Sequence, residues 1–150
     1  MSSTPAQPSS PPKPVEYGPP ISLDLAKQVV AAAEAEAAAN GWPMVIAIVD
    51  SGAHLVLLHK LDHVQLGSIR IAQGKAETAA KMKRPTKLLE DAVIGGGPGL
   101  RLLALDGIIP LEGGLPILKE GKVIGAIGVS GMSSAQDGQV AAAGVKAIAG

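Results

Sequence analysis

The three histidines of this chain, His54, His59 and His63, are clustered in residues 54–63, and Asp62 directly precedes the last of them. A carboxylate beside an imidazole can orient the ring and favour its charged form, which suits general acid–base work near neutral pH. Glu112, next to Gly113-Gly114, offers a second acid in a turn or bulge. Arg70 can hold a substrate carboxylate in a bidentate fork. His63, Asp62 and Glu112 are therefore the candidate catalytic group. His54, His63, Arg70, Gly113 and Gly114 are the candidate ligand-binding group, closed by the 95–99 loop or completed by a neighbouring subunit. The plainer alternative makes Asp62 a cap for the next helix and His63 a solvated loop residue. His54 reads equally well as a satisfied sheet histidine, and His59 as structural or surface. No metal site is expected from these histidines, because His54 and His59 point to opposite faces of one strand. His63 and Glu112 could share a ligand set only if the fold brings them together.

The elements that must position these groups follow from periodicity. Val45 to Val49 is an apolar, β-branched run that reads as a strand buried on both faces. Asp50-Ser51-Gly52 is turn chemistry, and Ala53 to Lys60 returns as a second strand of a hairpin. Upstream, Ser22 is placed as an N-cap, Leu23, Ala26, Val30, Ala33 and Ala37 repeat at helical spacing, and Asn40-Gly41 with Pro43 ends the helix. Downstream, Ile69, Ala72, Ala76 and Ala79 give a second helix over 67–82, with Arg70, Lys75, Glu77 and Lys81 read as its solvated face. Lys81 to Arg84 is a small basic cluster of the kind a helix C-terminus favours. A short helix follows from Pro85-Thr86. Gly95 to Gly99 lacks the Lys-Ser/Thr of a phosphate loop and reads mainly as a flexible loop, followed by a helical turn at 100–105. Strands are expected at 108–111, 115–119 and 123–131, the last two joined by a tight turn at Glu120-Gly121-Lys122. Ser133 with Gln136 forms a capping box for a final helix to about Ala149, whose mid-helix Gly144 signals close packing. This order predicts an α+β domain with an antiparallel sheet and helices largely on one face.

Composition sets limits. Of the 150 residues, 47% are hydrophobic but only 1% aromatic, so the core must be aliphatic and rich in Ala and Gly. The formal net charge is zero, which gives no general pull toward nucleic acid or an anionic membrane. With no Cys, disulfides, zinc–thiolate sites and thiol catalysis are excluded. No stretch approaches membrane-spanning length, and no basic-then-apolar leader opens the chain, so a cytoplasmic location is expected unless a leader was removed. Residues 1–20 hold seven of the twelve prolines and read as a disordered Pro/Ser-rich tail, with one folded domain at 21–150. Ala/Gly-rich helices on a half-covered sheet predict a homo-oligomer.

Several stretches then fall into a familiar order: Val-Asp-Ser-Gly-Ala-His-Leu-Val at 49–56, Leu-Asp at 61–62, residues 68–80, Gly-Gly-Leu-Pro-Ile at 113–117, and Gly-Ala-Ile-Gly-Val-Ser-Gly at 125–131 with Gln136-Asp137. Over residues 21–149 the chain resembles the GlcG/HbpS family, which is similar to the C-terminal domain of PduO corrinoid adenosyltransferases. The resemblance implies a five-stranded antiparallel sheet flanked by helices, a profilin/PAS-like layout, and assembly into dimers to octamers. Some members bind haem, and in the PduO-like branch the ligand is expected from a His in the first helix. No His lies between Ile21 and Gly41 here, so no haem ligand carries over residue by residue.

Three function classes follow. One is a small-molecule-binding oligomer, with haem as the one cofactor implied. Another is a small enzyme without organic cofactor, acting on a small carboxylate or aromatic through His63, Asp62 and Glu112. The third is an accessory protein without activity.

Overall fold

The structure is a computed structural model describing residues 13–149. Most of the expected Pro/Ser-rich tail, residues 1–12, lies outside the described residues. Helix α1 (Leu23–Asn40) leads into strands β1 (Val45–Asp50) and β2 (Leu55–Lys60). Helices α2 (Gly67–Met82) and α3 (Thr86–Ile94) and a 3-10 helix (Gly97–Ala104) follow, then β3 (Gly114–Lys119), β4 (Lys122–Ser130) and α4 (Ser134–Lys146). The ends of α1 are as the sequence implies. Ser22 Oγ accepts from Leu25 N–H at 3.1 Å, and Gly41 closes the helix at φ 70°. The capping box of Ser133 and Gln136 is formed at α4.

All strand pairs are antiparallel, in the order β2-β1-β4-β3. The sheet has four strands, not the expected five. Residues 108–111 do not join it, and the reason is donor supply. Pro110 has no N–H, and the Ile109 N–H is taken by Thr78 Oγ1 at 2.9 Å, so the segment lies on α2 as a loop. The expectation of helices on one face is also corrected. Ile46, Ile48, Ile127 and Val129 pack with α1 and α4, while Val45, Ala47, Val49 and Ala126 pack with α2. β1 and β4 are apolar on both faces because both faces are covered. His54 falls one residue before β2 rather than within it.

Residues 15–18 are held before the first helix begins. Gly18 N–H donates to Val123 O at 2.8 Å, Val123 N–H donates to Glu16 O at 2.9 Å, and the Tyr17 hydroxyl donates to Ala80 O at 2.6 Å. The packed part of the chain therefore starts upstream of Ile21.

Helix α2 sits directly on β4. A Cβ at Gly128 would overlap the Ala72 carbonyl oxygen and come within 2.5 Å of Ala76 N. Glycine at this strand position is a requirement of close approach. Gly144 serves α4 likewise, since a Cβ there would lie 2.9 Å from Ile127 Cδ1 and 3.0 Å from Val29 O.

Lys75 departs most from expectation. It is 2% exposed, not solvated. Its Nζ donates to Asp137 Oδ2 at 2.9 Å and to Val129 O at 2.9 Å. The other oxygen of Asp137 accepts the Met132 N–H at 3.0 Å. Among the described residues no buried side-chain nitrogen or oxygen lacks a partner. Burial pushes the Asp137 carboxyl above its ordinary value, against the hydrogen bonds from Met132 and Lys75 that favour the charge.

Two tests follow. Lys75→Met and Asp137→Asn should each lower unfolding free energy by about 3–5 kcal/mol, because each strands a buried polar partner. The double variant should lose clearly less than the sum in urea titrations, whereas additive losses would mean the two groups are not coupled. The pH dependence has a definite sign. With the folded pKa raised, the native state binds more protons than the unfolded chain between the two values. Stability from this group therefore falls as pH rises from about 3.8 through the raised folded pKa, then levels. Asp137→Asn should remove that acid-side slope from a stability-versus-pH series.

Candidate functional site

Asp62 and His63 leave β2 where Leu61 N–H donates to Met44 O at 2.9 Å, which fixes the loop against the start of β1. His63 takes a left-handed backbone, φ 71°, uncommon for a residue other than glycine, and is exposed. Together with Ala38, Gly41, Trp42, Pro43, Leu61 and Asp62 it lines an open depression of about 410 Å3. That volume falls within the rough range of 300–1,000 Å3 typical of small-molecule sites. The wall is apolar: Trp42 and Leu61 are half-buried and pack on the α1–sheet core. Among the described residues, His63 is the histidine with no ion-pair partner. His59 pairs with Glu34 of α1, and His54 lies 3.6 Å from Asp50, the residue that also caps its own turn by accepting from Gly52 and His54 N–H.

The other candidates do not converge on His63. His54 is at the far end of the hairpin, about 20 Å away along the six-residue strand. Glu112 reaches the same end of the sheet as His63 but beside the opposite edge strand. Three strand spacings, roughly 14 Å, separate those edges. Its carboxylate rests on Gly138 of α4, where a Cβ would lie 3.0 Å from Glu112 Cγ. Arg70 lines a different cleft with Gln73, Gly74, Glu77, Gly107 and Ile109. Gly113 and Gly114 are buried. A Cβ at Gly113, whose φ is 131°, would lie 2.8 Å from Lys75 Nζ, and one at Gly114 would lie 2.7 Å from Thr86 Cγ2. Gly114 N–H donates to Thr86 Oγ1 at 2.9 Å. These two glycines close the core over Lys75.

The group that sequence reasoning missed is this buried polar seam: Lys75 with Asp137, Thr86 with Gly114, and Ser68 with Ser130, whose hydroxyls lie 3.0 Å apart. A signal was present. Lys75 sits between Ala72 and Ala76 on the arc that the alanine spacing already assigned to the core. No cluster of three or more His, Cys, Asp or Glu able to hold a metal ion occurs among the described residues. None of the described helices is long and apolar enough to cross a membrane.

Comparison with known proteins places this arrangement. The chain is 40% identical over 110 residues to Protein GlcG of Escherichia coli K12, covering 73% of this chain and 81% of GlcG. The crystal structure of the PduOC:haem complex superposes with a TM-score of 0.78 at 30% identity, covering 86% of this chain and 95% of that one. A double mutant of Streptomyces reticuli HbpS gives a TM-score of 0.82 at 26% identity, covering 97% and 99%. A family model described as haem degrading protein HbpS-like matches residues 21–146, and the chain belongs to that family.

Proposed function

We propose that this protein is a small-molecule-binding homo-oligomer whose ligand is haem, seated in the Trp42–Leu61 depression, with His63 as the residue that would hold its iron. The observation that carries the reading is the unpaired His63 imidazole beside an apolar wall. A haem site needs those two things together: an apolar surface against the ring and a side chain able to ligate the iron. The residues fit in kind. Trp42, Pro43, Leu61 and Ala38 would supply the apolar contacts, and His63 would hold the iron. Bound haem would supply redox-active iron; the chain's own part is to bind, orient and partly exclude water. The relative crystallised as a haem complex and the family's description support the same ligand class.

The depression is open, so one subunit covers only one side of such a ligand. A second surface lacks cover as well. The 3-10 helix buries none of its residues, and Leu103 and Ile94 are 63% and 77% exposed, with Leu88, Leu100 and Leu105 beside them. Apolar exposure on this scale marks an interface. We assign it to a second copy of the chain. Within one subunit the acid–base enzyme reading has no second acid beside His63, since Glu112 stands at the opposite sheet edge.

Haem titration of the full-length protein should give a saturable Soret shift. His63→Ala should abolish that shift, while His54→Ala and His59→Ala keep it. A flat titration, or an unchanged spectrum in His63→Ala, would rule the assignment out. Native mass should report an oligomer that Leu103→Asp dissociates without loss of helical circular dichroism. A wild-type monomer at all concentrations would refute the interface.

A further inference from the structure

A second site lies on the outer face of α2, separate from the His63 depression. Arg70, Gln73, Gly74 and Glu77 line a cleft of about 200 Å3, walled by Gly107 and Ile109. The wall is preformed. Thr78 Oγ1 donates to Gly74 O at 2.7 Å and accepts the Ile109 N–H at 2.9 Å, so the 107–109 loop is locked to the helix. Gly74 permits that contact, because a Cβ there would lie 2.6 Å from Ile109 Cγ1. Gly107 makes the turn at φ 76°.

The polar groups divide by sign along the cleft. Arg70 and Glu77 are two helical turns apart, roughly 10 Å along the axis. Arg70 has no ion-pair partner among the described residues. Gln73 Nε2 donates to Glu77 Oε1 at 3.2 Å. A carboxylate only accepts, so one N–H of the Gln73 amide is committed to it, and the Gln73 carbonyl and the second Glu77 oxygen remain as acceptors. One end of the cleft therefore donates to an anion, the other accepts from a cation, and Ile109 supplies an apolar middle. At about 30 Å3 per water-sized atom, the cleft holds about seven non-hydrogen atoms.

We propose that this cleft binds a short zwitterion carrying a carboxylate and an ammonium at opposite ends of an aliphatic spacer, with Arg70 as the carboxylate fork and Glu77 as the ammonium acceptor. The probe is 4-aminobutyrate, which has that size and polarity, with butyrate and butylamine as its single-ended controls. Calorimetric titration of the full-length protein should give saturable 4-aminobutyrate binding at a Kd of about 1 mM or tighter, with each control about tenfold weaker. Arg70→Met should reduce 4-aminobutyrate to the level of butylamine and leave butylamine unchanged. Glu77→Gln should reduce it to the level of butyrate and leave butyrate unchanged. His63→Ala should bind all three as the wild type does, so this result stands or falls apart from the haem assignment. No saturable heat with 4-aminobutyrate, equal binding of all three probes, or unchanged affinities in both variants would overturn the proposal.

Discussion

A lysine sealed in an aliphatic core costs several kcal/mol unless its charge is met and its donors are used. Lys75 meets that condition from three directions. α4 contributes Asp137, β4 contributes the Val129 carbonyl, and the segment entering β3 contributes the two glycines that let backbone close over the ammonium. The pair therefore joins α2, α4 and both strands of the second hairpin. Val129 shows how tightly: its carbonyl accepts from Lys75 while its N–H donates to Gly113 O at 2.9 Å. Apolar attraction is non-directional, whereas this set of hydrogen bonds holds only over a narrow range of distance and angle. It fixes the register of α4 against β4 more sharply than the alanines and valines around it can.

With no Phe and a single half-buried Trp, the core gains little from side-chain bulk. It gains instead from proximity. Gly128 admits the backbone of α2, Gly144 admits α1, and Ala72, Ala76 and Ala79 keep α2 close to the sheet. Dispersion contacts are individually small and fall steeply with distance, so small residues that bring backbones together can replace large ones that fill space between them. The same economy makes the domain sensitive at its glycines. A methyl group at 128 has to displace backbone, not a flexible side chain.

What the sequence disclosed is what local chemistry decides. The ends of α1, the β1–β2 turn at Asp50-Ser51-Gly52, the capping box at Ser133 and the span of α2 all rest on interactions between residues four or fewer apart. The misreadings were non-local. Residues 108–111 have strand composition, but Thr78, thirty-one positions away, takes the Ile109 donor. Lys75 has a surface residue's identity, but Asp137, sixty-two positions away, makes burial tolerable. Within one subunit the candidate residues stay apart for the same reason. Asp62 and His63 are neighbours along the chain and stay together. Glu112 and Arg70 were joined to them by chemistry alone, and strand order β2-β1-β4-β3 sends Glu112 to the opposite edge.

Where chemistry can occur follows from this division. The interior face of α2 carries one buried charge among the described residues, Lys75, yet its donors are consumed by Asp137 and Val129, and glycines shut the approach. A ligand cannot reach Lys75 without breaking what holds α4 in place. The functions proposed above fall on surfaces the core leaves unfinished: the Trp42–His63 corner where α1 hands over to the hairpin, the outer cleft of α2, and the leucines of the 3-10 helix. Among the described residues the first presents a histidine and the second an arginine without an ion-pair partner, and the third presents apolar groups without cover. On those proposals the partners come from outside the subunit, so ligand binding and assembly would draw on the same exposed margin. A substitution in the seam should disturb both together, while one at the margin can alter either alone.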